Sequence, residues 1–178
     1  MRIWMALFAA AVLALAGAAC GGGSTSGEGE KNESPVVSQS PSAAASTPEA
    51  LAAAIHKDFL ALQGELATMV AGQPTAATLR PKVAELKERY IGKFVGYGRV
   101  RERMSGTDAK KVENEFSRLL FTPPTVDISA LSTATARFTQ TDPALSKEIA
   151  SLNILTQYAF FDLLKKQEPA EAARLGIN

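Results

Sequence analysis

Six apolar residues, Leu51, Ile55, Phe59, Leu62, Leu66 and Met69, recur at spacings of 4, 4, 3, 4 and 3. An α-helix returns to one face every 3.6 residues, so this alternation of threes and fours forms a continuous apolar stripe along a helix and cannot line one face of a strand. Ser46-Thr47-Pro48-Glu49 stands just before it. A threonine that can cap, a proline at the first helical position and the Ser46/Glu49 pair of a capping box all mark a helix start there. Gly72-Gln73-Pro74 ends the stripe. One helix is therefore expected from about residue 48 to 71, with a face that must be covered by something else.

The rest of the chain to its end reads the same way. Leu79, Val83, Leu86, Tyr90, Phe94, Tyr97 and Met104 predict a second helix that begins near Thr78 to Pro81 and stops at Ser105-Gly106. Gly92, Gly96 and Gly98 interrupt it at about 1 kcal/mol each relative to Ala. Either a neighbouring element comes close there or the helix kinks. A third helix starts after Thr107-Asp108, carries Val112, Phe116, Leu119 and Leu120, and ends at Thr122-Pro123-Pro124. A weaker one is expected over residues 125–140, on Ile128, Leu131, Ala134 and Phe138. Thr141-Asp142-Pro143 then opens a long helix through Lys166 whose apolar face is wide enough to be the most buried of all. Glu168-Pro169 begins a short terminal turn that closes at Gly176. No segment alternates with period two. The expectation is an all-α domain over 46–178, an antiparallel bundle of four to five helices or an irregular relative of one.

Residues 1–45 do not belong to that domain. Arg2 precedes an apolar stretch, Ile3 to Ala16, and the small residues Gly17-Ala18-Ala19 lead to Cys20, the only cysteine. A positive charge, a short apolar run and a small-residue cleavage site form an export signal. The run is shorter than the ~20 residues that a permanent span requires. Leu15-Ala16-Gly17-Ala18-Ala19-Cys20 resembles the lipobox of bacterial lipoproteins, with Gly17 where that family prefers Leu. The resemblance covers only the first 20 residues. It implies that residues 1–19 are removed and that Cys20 receives a diacylglyceryl group on sulfur and an acyl chain on its new amino terminus. Each buried CH₂ contributes about 0.8 kcal/mol, so two or three chains hold a protein to a bilayer where one does not. By the sorting rule of enteric lipoproteins, Gly21 beside Cys20 favours the outer membrane over the inner. Two other readings of the same segment are cleavage after Ala18 or Ala19, leaving a free thiol, and an uncleaved anchor.

Residues 21–45 are rich in Gly, Ser, Pro and Glu and hold only Val36-Val37 as a bulky apolar pair. Such a stretch cannot bury enough surface to offset the ~1–2 kcal/mol per residue lost on ordering. It is expected to be a flexible tether with an r.m.s. span of ~25–30 Å and a stretched length of ~85 Å.

The expected helices carry little that points to chemistry. His56 is the only histidine. Haem would need an attachment motif or a second axial ligand such as Met69 or Met104, and methionine on an apolar stripe is ordinarily core filler. Glu-x-x-His pairs for a di-iron site, clustered His or Cys for zinc and a Gly-x-Ser-x-Gly turn for acyl transfer are missing from the sequence. The domain is therefore expected to be non-enzymatic and to need no cofactor. A rival expectation is a carrier of lipid or another small hydrophobic molecule, with a cavity lined by Phe94, Tyr97, Tyr158, Phe160 and Phe161; an enzyme of unassigned class is a more distant one.

Charge is unevenly placed. Residues 80–111 hold ten Lys or Arg against four Asp or Glu, while the remainder after residue 19 holds eight against fourteen. Arg99, Arg101, Arg103, Lys110 and Lys111 gather at the expected turn between the second and third helices. They form either a solvated face paired with Glu85, Glu88, Glu102 and Glu113, or a contact surface for anionic headgroups, wall polymers or an acidic envelope protein. An exported chain with no recognition motif is not expected to meet nucleic acid. Nothing in the sequence sets its oligomeric state.

Overall fold

At four helix starts a side chain satisfies an amide that the helix itself cannot. In the computed structural model, which describes residues 47–122 and 128–177, Thr47 caps α1 (Pro48–Ala71) by accepting from the Ala50 amide at 3.2 Å. Thr75 caps α2 (Ala76–Glu102) through the Thr78 amide. Helix two thus begins ahead of the expected Thr78–Pro81 start, and Pro81 lies inside it on an exposed face. Ser105, expected to end the second helix, instead caps α3 (Gly106–Leu120) through the Asp108 amide at 3.1 Å, so the third helix begins ahead of the expected start after Thr107-Asp108 and the second ends at Glu102. α4 (Ser129–Thr141) has no side-chain cap, in keeping with its weaker signal. Asp142 caps α5 (Pro143–Ser151) through the Leu145 amide. The proposed signal and tether lie outside the described residues.

The expected long helix from 144 to 166 is broken into pieces. α5 passes into a 3-10 helix, Leu152–Ala159, and Phe160 (φ −125°, ψ 78°) leaves helical geometry before α6 (Phe161–Gln167). The side chains account for the change. Leu152, Leu155 and Tyr158, all within the 3-10 helix, stand three apart and are buried. On an α-helix a step of three slips about 60° per turn and would spread them around the axis. A 3-10 helix has three residues per turn and keeps such a row aligned.

The last helix, α7 (Pro169–Arg174), ends in a Schellman turn. The Ile177 amide bonds to Ala172 O at 2.9 Å and the Gly176 amide to Ala173 O at 3.1 Å, with Gly176 at φ +67°. Ile177 is thereby folded back into the core.

The described residues form an all-α bundle of seven α-helices and one 3-10 helix, with no strand among them. The count exceeds the expected four to five because the C-terminal third is segmented. α1 packs on α2, α3 and α4; α2 packs on the 3-10 helix; and the buried residues belong to one core cluster. Tyr97 and Lys93 meet Asp58, while Tyr90 and Arg89 meet Glu65, so α1 and α2 are antiparallel. Arg80 meets Asp142 and Glu148, and Arg101 meets Asp162, so α2 and the C-terminal stretch run in the same direction. α3 and α4 occupy the connection between those two parallel segments.

α2 is continuous through its glycines. A Cβ at Gly98 would overlap the ring of buried Phe161, whereas one at Gly92 would meet nothing within 4 Å. Close approach therefore explains Gly98 and not Gly92. Gly98→Ala is expected to lower stability by about 1–3 kcal/mol through overpacking, and Gly92→Ala to raise it by up to about 1 kcal/mol. Urea unfolding midpoints check the pair; equal stabilisation by both would contradict the packing.

Candidate functional site

The end of α2 and the start of α3 do bring the five basic residues into one region, but not into one role. Arg101 is drawn inward, with a side chain only 11% exposed. Its Nε donates to Ala109 O at 3.3 Å, its guanidinium sits 5.3 Å from the centre of the Phe160 ring, and Glu113 and Asp162 lie at 3.9 and 3.8 Å. It ties α2 to α3 and to the C-terminal stretch. Lys111 bonds Asp108 at 3.0 Å within α3. Arg99, Arg103 and Lys110 are exposed. Arg103 donates to the Arg99 carbonyl at 3.1 Å, and none of the three forms an ion pair with a described residue. Of the anticipated acidic partners, Glu113 faces Arg101 and Glu88 faces Arg174 at 3.5 Å.

A cleft of about 490 Å³ lies among α2, the 3-10 helix and α7, with Lys87, Glu88, Gln157, Tyr158, Glu171 and Arg174 in its lining. Tyr158 donates to Glu171 at 3.1 Å, and Arg174 donates to both Glu171 oxygens at 2.8 and 2.6 Å. The Arg174 hydrogen bonds hold the Glu171 carboxyl below its ordinary value against the opposing effect of burial, with Tyr158 assisting. Burial and the neighbouring carboxylate push the Tyr158 hydroxyl upward. A carboxylate kept charged and a phenol kept neutral, bonded to each other, make a structural lock. The sequence carries the Glu171/Arg174 spacing as a signal, whereas Tyr158 comes to it from the 3-10 helix.

A second groove, about 230 Å³, lies between the end of α1 and the start of α4 and includes Arg137 in its lining. Arg137 donates to Pro74 O at 2.9 Å and lies 4.4 Å from the centre of the Phe138 ring, while its Nε is buried without a partner. Neither groove was anticipated. The aromatic residues expected to line a carrier cavity are mostly core: Phe94, Phe160 and Phe161 are buried, and Phe160 stacks on Phe116 at 5.4 Å. Tyr97 is half-buried and bonds Asp58 at 2.8 Å. His56 is half-buried on α1, and burial lowers its pKa. Met69 and Met104 pack against the core. Among the described residues no group of three His, Cys, Asp or Glu is placed to hold a metal ion, and no helix is long and apolar enough to cross a membrane. Cys20 lies outside the described residues.

No family model, curated protein or solved structure matches the chain.

Tyr90, Tyr97 and Tyr158 share one arrangement, a hydroxyl donating to a carboxylate: Glu65, Asp58 and Glu171 respectively. Burial first, then the acceptor carboxylate, raises all three above the ordinary value of about 10. A folded-state pKa above the unfolded one gives stability that is complete below about pH 10 and is lost as pH rises further. The urea midpoint is expected to fall between pH 9 and pH 11, and to fall less in Tyr97→Phe, which also loses about 1 kcal/mol at neutral pH. An unchanged alkaline loss in that variant would contradict the assignment.

Proposed function

We propose that this chain is a lipid-anchored protein of the bacterial cell envelope whose helical domain serves as a non-enzymatic interaction module, held off the bilayer by a tether. The carrying observation is the lipobox-like Leu15–Cys20 at the end of a short apolar run, with the chain's only cysteine at the attachment position. The domain start supports it. Thr47 caps α1 directly after the Gly/Ser/Pro-rich stretch, so the residues between Cys20 and the fold are those least suited to packing. In the proposed mature form residues 1–19 are gone, Cys20 carries the acyl chains, and the outer membrane is the favoured location. The packed aromatic core favours an interaction module over a carrier of small hydrophobic molecules. The exposed cations at the α2–α3 turn are its most distinctive surface.

Cys20→Ser is expected to accumulate as an uncleaved precursor that takes up no labelled fatty acid. Normal maturation with unchanged membrane attachment would contradict the anchor.

A further inference from the structure

The pairing of α1 with α2 determines which end of the bundle the anchor approaches. From Asp58, opposite Tyr97, α1 runs back to its cap at Thr47, about 16 Å of helix. From Tyr97, α2 runs on to Glu102 over about 8 Å in the same direction and turns at Ser105 into α3. The chain therefore enters the domain at the end that carries the α2–α3 turn. Arg99, Arg103 and Lys110 stand there, exposed and without an ion pair among the described residues. Glu49 in the first turn of α1 and Glu102 at the end of α2 are exposed carboxylates of this end without an ion pair among the described residues, while Asp108 is taken up by Lys111, and Glu113 and Asp162 both face Arg101. Both α1 and α3 begin at this end, which sets two positive helix-dipole termini beside the negative termini of α2 and α6.

We propose that this tether-proximal basic end docks on anionic phospholipid headgroups of the membrane that holds Cys20; the proposal rests on the anchor reading above. Charge complementarity and the position of the entering chain favour lipid over a soluble acidic partner. On that reading the tether, residues 21–45, holds the domain within roughly 30 Å of the surface, at an effective concentration in the millimolar range. Binding can then be weak and still orient the domain. One cation near an anionic surface contributes about fivefold, so three contribute on the order of a hundredfold. Docking turns the opposite end, with the start of α2 and the Arg137 groove, away from the bilayer.

The test uses the processed full chain in vesicles of phosphatidylcholine alone or mixed with phosphatidylglycerol. An environment-sensitive fluorophore is placed at Thr107→Cys, beside the basic turn, or at Ala77→Cys, at the far end. The label at 107 is expected to report a less polar setting only on the anionic vesicles, while the label at 77 stays aqueous on both. High salt, or Arg99→Ser with Arg103→Ser and Lys110→Ser, should lower the docked-to-free ratio by on the order of a hundredfold with the helical circular dichroism unchanged. A 107 signal that ignores lipid charge, or that survives the triple variant, would overturn the proposal. The mass of the purified chain reads the anchor separately. If Cys20 is unacylated, the anchor reading fails and the docking proposal, which needs the tethered concentration, fails with it; an acylated chain whose 107 signal ignores lipid charge overturns docking alone.

Discussion

The seam between α1 and α2 organises the domain. Its buried side chains, among them Leu51, Ile55, Leu62, Leu66, Leu86, Tyr90 and Phe94, join the single core. Each large one stabilises the fold by roughly 1.5–3 kcal/mol on burial, against at most about 1 kcal/mol for an exposed ion pair. Apolar contact thus supplies the energy, and polar contact supplies the alignment. Tyr90, buried in the seam, and half-buried Tyr97 extend their hydroxyls to Glu65 and Asp58, which fixes how far one helix is shifted along the other. The remaining elements pack on this pair: α3 and α4 against α1, and the 3-10 helix against α2.

Features of the fold that depend on neighbours in sequence were legible in the sequence. The α1 stripe, the Thr47-Pro48 start and the Asp142-Pro143 start all act within one helical turn, and each appears where its residues indicate. The change of winding is less legible, although Leu152, Leu155 and Tyr158, spaced three apart, fit the 3-10 helix that holds them. A wide apolar face predicts burial, which the structure has, but does not by itself distinguish an α-helix from a 3-10 helix. Gly98 lay beyond local reasoning, because its meaning depends on Phe161, a residue far along the chain that the parallel packing of α2 brings beside it.

The candidate contact surface shows the same division. Composition places five cations at the α2–α3 turn, and only the fold separates Arg101, folded over Phe160 and holding Ala109, from Arg99, Arg103 and Lys110, which face solvent. The Tyr158–Glu171–Arg174 lock and the orphaned Arg137 Nε arise from contacts between elements and leave almost no trace in spacing. Antiparallel pairing of α1 and α2 also gives the cations a direction. They lie where the chain enters the domain, the end closest along the chain to the proposed lipid at Cys20.

The proposed anchor and tether and the packed domain together make one testable arrangement, and proteolysis of membranes bearing the full chain at high salt tests it most directly. The account predicts cleavage within residues 21–46, release of a helical, cooperatively unfolding fragment that contains residues 47–177, and an acylated stub left in the membrane. A domain degraded to small peptides before release, or one that still sediments with the membrane after the cut, would contradict it.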